Sequence, residues 1–160
     1  MLTETQLNFL REKIQELRTA LFFNTSNAVL RLPTCIINTL KVDEAGQIWF
    51  FVNRPEQYLH EFDREFPARL DYFCKGKRFF LNITGKAYII TDPEELNEII
   101  SVSEDDKQKA MAHLVLIKFK IASAQYYERP AKGQGIVHKV KTQLSRLLFR
   151  EKAYRLQPSY

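Results

Sequence analysis

DEAGQIWFFVNRPEQYLHEF, residues 43–62, is the stretch that decides how this chain is read. Asp43-Glu44-Ala45-Gly46 is a turn signal between two apolar runs, so it reads as a hairpin loop. Ile48-Trp49-Phe50-Phe51-Val52 shows no polar alternation, which predicts a strand buried on both faces. Pro55 suits the first turn of a helix, and Tyr58, Leu59, Phe62 and Phe66 would share one face of it. Pro67 would end that helix, because the residue before a proline avoids helical geometry.

On the N-terminal side, Ala28–Leu32 and Cys35–Val42 are apolar and β-branched and read as strands interrupted by Pro33. Before them, Leu7, Leu10, Ile14, Leu17 and Leu21 recur at helical spacing, with Thr3 and Gln6 placed for a capping box. On the C-terminal side, Arg69–Cys74 and Arg78–Ile90 read as a hairpin around Lys75-Gly76-Lys77. Gly85 marks a bulge or a close backbone approach within its second arm. Asp92-Pro93-Glu94-Glu95 is a helix start, with Leu96, Ile99 and Ile100 as the apolar face. An acidic linker spans residues 103–106. Val115, Ile117, Phe119 and Ile121 alternate as in a strand. Val137, Val140, Leu144, Leu147 and Leu148 outline a basic amphipathic C-terminal helix.

The order is helix, three strands, helix, two strands, helix, strand, helix. Strands joined by short turns point to an α+β, mainly β, fold with an antiparallel sheet or barrel rather than a doubly wound parallel sheet. The 160 residues fit one domain, split as a barrel over residues 1–130 and a basic helix and tail over residues 131–160. No apolar run is long enough to span a bilayer, and the N-terminus lacks the pattern of a secretory signal. Cytoplasmic residence is therefore expected, with Cys35 and Cys74 as reduced thiols and a single bridge as the alternative.

The net charge of +5 is unevenly placed. From residue 132 on, seven basic residues face only Glu151, so the tail carries about +6 and the rest of the chain about −1. Such a tail is either a solvated helix face or a contact for nucleic acid, a membrane surface or an acidic partner.

Several chemistries are without support. Gly133-Gln134-Gly135 does not continue into a dinucleotide fingerprint, and there is no phosphate-loop lysine motif or nucleophile elbow. His60, His113 and His138 are scattered and make no metal set, and the paired acids suit helix surfaces and caps. Hydrolytic and metal-dependent catalysis are therefore not indicated, and no catalytic residue is assigned.

Asp43–Phe62, followed by Arg69–Leu96 (RLDYFCKGKRFFLNITGKAYIITDPEEL), resembles the flavoproteins of the pyridoxamine 5'-phosphate oxidase-like superfamily, and within it the general stress protein branch. The resemblance covers roughly residues 3–125. It implies a six-stranded antiparallel split β-barrel with flanking helices, a homodimer, and FMN held at the dimer interface for redox work on a small molecule. It implies cofactor contacts from Trp49, Phe50, Phe51, Val52, Asn53, Arg54 and Tyr58, with the strand passing the flavin largely by its backbone and the following turn gripping the phosphate.

The chain departs from that pattern where members commonly carry Thr or Ser (here Val52), Ser (here Glu56) and Lys (here Tyr58). An acid at Glu56 repels a phosphate. Lys41 is the basic residue near the end of the preceding strand, and alternation could aim it away. Arg54 either replaces the missing cation, since a guanidinium holds a phosphate bidentately, or is an exposed turn residue. Three readings follow: a flavin-dependent oxidoreductase; a degenerate barrel acting as a binding or structural homodimer, with haem or another planar ligand; and, last, a nucleic-acid or acidic-partner binder using the tail.

Overall fold

The computed structural model of the chain describes residues 2–76, 78–99, 108, 111–128 and 154–156. Helix α1 (Glu4–Leu17) opens on the expected capping box: the Thr3 side chain accepts the Gln6 N–H, and the Gln6 side chain accepts the Thr3 N–H. Leu10, Ile14 and Leu17 form its buried face. The helix stops there and does not reach Leu21. Arg18 adopts φ 61°; its N–H bonds Ile14 O at 2.7 Å, and its carbonyl accepts the Thr39 N–H at 2.9 Å.

The chain then enters strand β1 (Thr19–Asn24). Helical spacing placed Leu21 on α1, but Ala20 and Phe22 alternate inward with no exposed surface, and β1 is paired on both sides. The strand expected over residues 28–32 does not form. Residues 25–34 are a connection in which two amides are met locally: Ser26 N–H by Asn24 Oδ1 at 2.9 Å and Ala28 N–H by Ser26 Oγ at 3.4 Å. Such side-chain bonds compete with a ladder, and Pro33 has no donor to offer one.

Strands β2 (Cys35–Val42), β3 (Gln47–Asn53), β4 (Glu65–Tyr72), β5 (Phe79–Ile90), β6 (Leu114–Glu128) and β7 (Tyr154–Leu156) complete the sheet in the order β3-β2-β1-β4-β5-β6-β7, every pair antiparallel. β3 also pairs with β6 from Gln47↔Lys120 to Asn53↔Leu114, which closes β1–β6 into a six-stranded barrel. The short β7 is added outside that closure, on Ala124–Tyr126 of β6.

The helix expected over residues 55–66 is also absent. Only a 3-10 turn, Leu59–Glu61, forms, and Phe66 belongs to β4. Phe66, Ala68, Leu70 and Tyr72 alternate inward, so the period of two in residues 66–72 prevails over the helical spacing that Phe66 also satisfies. Pro67 is tolerated in the strand because its carbonyl accepts the Thr25 N–H (3.0 Å) just past the end of β1. That is the side on which its missing donor would have faced.

Other expectations hold. Asp92 caps α2 (Pro93–Ile99), its Oδ1 accepting the Glu94 N–H at 3.0 Å. Gly76 sits at φ 88° in the β4–β5 hairpin. Both cysteines are free. β6 runs well beyond the 115–121 stretch read from alternation. The acidic linker, the helix expected over residues 137–148 and the boundary at residue 130 lie outside the described residues.

The barrel is filled by Phe22, Phe50, Phe119 and Tyr72, all fully buried. Phe22 stacks obliquely on Phe50 and Phe66, with ring centroids at 5.4 and 6.2 Å. The Tyr72 hydroxyl shares a 2.6 Å hydrogen bond with Thr39 Oγ1, and burial pushes its pKa far up, so the phenol stays protonated. α1 packs on the β2–β3 turn: Arg11 Nη2 donates to Asp43 O at 2.9 Å, and Leu7 lies so near Gly46 that a Cβ there would meet Leu7 Cδ1 at 2.6 Å.

Gly85 sits at the register shift between Thr84 and Gly85. A Cβ there would stand 2.0 Å from the Lys120 carbonyl oxygen, a backbone atom with nowhere to go. Gly85→Ala is expected to cost about 3 kcal/mol. Gly76→Ala, with open space around its Cβ, is expected to cost about 1 kcal/mol from its positive φ alone. Urea unfolding of the two variants measures the difference, and equal losses would contradict the close approach.

Candidate functional site

β3 is not an edge. It is hydrogen-bonded to β2 on one side and β6 on the other, so its backbone is committed. Its side chains divide as the unalternating sequence requires. Ile48, Phe50 and Val52 enter the barrel core, while Trp49 and Phe51 join an outer cluster with Ile90, Leu96 and Leu116. Of the residues expected to touch a cofactor, Phe50 and Val52 are therefore turned inward, and Trp49 lies beneath α2. Phe51 remains half-buried on the outer face.

Trp49 is fixed by Asp43, the first residue of the β2–β3 turn. Asp43 Oδ2 accepts the indole N–H at 2.9 Å, and its Oδ1 accepts the Gln47 N–H at 2.8 Å. Lys118 Nζ lies 5.6 Å from the Trp49 ring centroid and 5.4 Å from that of Tyr88, and it pairs with Glu95 at 3.5 Å.

Past the end of β3 the chain becomes polar and open. Asn53, Arg54, Glu56 and Gln57 are exposed, and Tyr58 is 74 % exposed, stacked on His60. Two bonds pin this turn to the segment before β6: Arg54 N–H to His113 O at 2.8 Å and Arg54 Nε to Met111 O at 3.0 Å. The guanidinium thus has one nitrogen engaged and is held at the surface. The structure brings Asn53, Arg54, Glu56 and Tyr58 into one exposed segment.

Sequence reading missed the outer face of β2, which runs antiparallel beside β3. Ile36 is 67 % exposed and Leu40 49 %, on either side of exposed Asn38. The signal was present: CIINTLKV carries apolar residues at both alternations. From Ile36 a row crosses the barrel through Leu21, Asp71 and Asn82. Asp71 accepts from Asn82 Nδ2 and forms an ion pair with Arg69, whose Nε lies 3.3 Å away without an aligned hydrogen bond. The Arg69 guanidinium rests on the Phe23 ring at 4.4 Å. Burial raises the Asp71 carboxyl pKa, and Arg69 opposes that rise. Cys35, at the start of β2, has its thiol pKa raised by burial. Among the described residues no group of His, Cys, Asp or Glu could hold a metal ion, and no helix is long and apolar enough to cross a membrane.

The sequence profile described as pyridoxamine 5'-phosphate oxidase like matches residues 5–146. The chain belongs to the pyridoxamine 5'-phosphate oxidase-like family. No curated protein sequence matches it, but solved structures share its fold. General stress protein 26 from Jannaschia sp. CCS1 superposes with a TM-score of 0.60 at 14% identity, covering 98% of this chain and 100% of that one. A Clostridium acetobutylicum protein related to general stress protein 26 gives 0.57 at 13%, over 79% and 90%. A Xanthomonas citri general stress FMN/FAD binding protein gives 0.58 at 19%, over 80% and 91%. The split barrel and the pyridoxamine 5'-phosphate oxidase-like family read from residues 43–96 are thus borne out, and structures of general stress proteins share the fold.

Asp43→Ala removes the acceptor of a buried indole and of a turn amide. It is expected to cost about 2 kcal/mol and to shift the emission of the single tryptophan. Urea unfolding followed by tryptophan fluorescence measures both, and an unchanged midpoint would mean that the turn holds without Asp43.

Proposed function

We propose that this chain is a homodimeric flavoprotein that binds FMN on the outer face of β2, beside the turn that follows β3, at the subunit interface, and that it is a cytoplasmic oxidoreductase acting on a small molecule. The observation that carries the reading is the uncovered outer face of β2. Ile36 and Leu40 form an apolar strand surface beside an exposed turn with an anchored guanidinium. A flat ring and a second copy of the chain would cover that surface, and exposed apolar patches of this kind mark binding faces. Family membership and the Xanthomonas citri FMN/FAD binding relative support the cofactor.

The residues present fit FMN in part. Arg54 offers a fixed, permanently charged donor set for a phosphate, Asn53 a polar side chain, and Ile36, Leu40 and Phe51 apolar area. Glu56 opposes the phosphate. Phe50 and Val52 face the core, so their share is through the backbone and by holding the strand. A bound flavin would supply electron and hydride transfer; the chain's own residues would hold, orient and shield it. A second copy would place its own Ile36 row against the first, as an isologous interface requires.

The visible spectrum of the purified protein, before and after FMN addition and gel filtration, tests the reading directly. A retained yellow band with quenched Trp49 emission is expected, and a colourless protein that releases added FMN would overturn it. Arg54→Ala should weaken FMN about tenfold, the worth of one charged hydrogen bond. Glu56→Ser should tighten it by removing repulsion. Ile36→Lys should yield monomers on gel filtration; a dimer unchanged by that substitution would move the interface elsewhere.

A further inference from the structure

A pocket of about 390 Å³ lies at the other end of β2, where Ile14 and Gln15 of α1 and its C-cap Arg18 face residues 39–42. Two hydrogen bonds brace its ends: Thr39 N–H to Arg18 O, and Arg11 Nη2 to Asp43 O. Between them the β2–β3 register slips, Thr39 opposing Phe50 and Lys41 opposing Trp49, so Leu40 is the extra residue of a bulge. Bulges turn the strand and re-aim its side chains. Here Leu40 and Lys41 are both exposed, against strict alternation.

The lining has a definite chemistry. It contains two cations, Arg18 and Lys41, an exposed amide, Gln15, and no carboxylate. Among the described residues neither the Arg18 guanidinium nor the Lys41 ammonium makes a hydrogen bond or ion pair. Ile14, Leu40 and Val42 give the pocket an apolar side. Its volume falls in the range of small-molecule sites. Arg18 also holds φ 61°, a backbone state that glycine adopts at lower cost, so a long cationic side chain is kept where the backbone alone favours none. That backbone state is held by the Arg18 N–H and carbonyl hydrogen bonds at the helix cap.

We infer that this pocket binds a small organic anion, a carboxylate or phosphate ester, with Arg18 and Lys41 holding the charged group and Ile14, Leu40 and Val42 contacting its apolar body. The site stands apart from the Asn53-Arg54 turn, shares Leu40 with the apolar face of β2, and is tested without a flavin.

The test is an amide chemical-shift titration of the full-length protein, without added flavin, in chloride buffer. Inorganic phosphate and butyrate serve as separate probes of the two anion classes. Saturable shifts centred on Arg18 and residues 40–42 are expected for at least one probe. Arg18→Gly, which removes the cation and relaxes the backbone, and Lys41→Gln should each weaken that probe at least fivefold while leaving thermal stability intact. Arg54→Ala should leave it unchanged. Shifts scattered over surface lysines and arginines, or equal affinity in the Arg18→Gly and Lys41→Gln variants, would overturn the assignment. Saturation by phosphate alone would fix the ligand as a phosphate ester, and by butyrate alone as a carboxylate.

Discussion

The pairing of β3 with β6 is the interaction on which the rest of the molecule depends. It turns an open antiparallel sheet into a closed barrel, and a closed barrel has no free strand edge among β1–β6. Every later constraint follows from closure. β5 must bend over β6 tightly enough that Gly85 touches the Lys120 carbonyl, which only a residue without a Cβ allows. The interior is packed with buried side chains, of which Phe22, Phe50, Tyr72 and Phe119 are the largest. Recognition is pushed to the outer faces of strands and to the turns at their ends.

Closure also sets what the aromatic strand can offer a ligand. In an open sheet, Trp49–Val52 would offer one face to a ligand. In this barrel, one side packs the interior and the other packs beneath α2. The surfaces that neither layer claims are the outer row of β2 and the turn from Asn53 to Tyr58. The row Leu21, Asp71 and Asn82 continues that outer face across β1, β4 and β5, with Arg69 two residues from Asp71 on the same strand. Its charges are already partly desolvated in a single chain, which lowers the further cost of covering them.

Much of the fold was legible because turns and caps act locally. The Thr3–Gln6 box, the Asp43–Gly46 turn, Gly76, Gly85 and the Asp92-Pro93 start all behave as their residue types dictate. The errors fall where one stretch satisfies two periods. Leu21 continues the helical spacing of α1, yet Ala20 and Phe22 alternate; Phe66 completes a helical face, yet it also begins the alternation of β4. In both places barrel pairing decides, and pairing is a long-range property that no local window contains. The resemblance carried by residues 43–96 identified the fold despite those errors, because order and turn chemistry survive a misplaced boundary. The site was less legible for the same reason: which face of β2 is open depends on what covers β3.

The two cationic places on this surface serve different ends of one strand. Arg54 stands where β3 ends, beside the start of β2, whereas Arg18 and Lys41 stand at the end of β2. Five residues of extended strand separate Ile36 from Lys41, roughly 17 Å. One phosphate cannot reach both. A ligand lying along the apolar face between them would have an anion-binding group at either end, and two separate ligands would each have one. Glu56 lies at the first place, while the second has no acid in its lining. The second is therefore the better electrostatic match for a free anion. The first needs apolar contact along β2 to hold a phosphate against the neighbouring acid, and that contact is what a large planar group supplies and a simple anion does not.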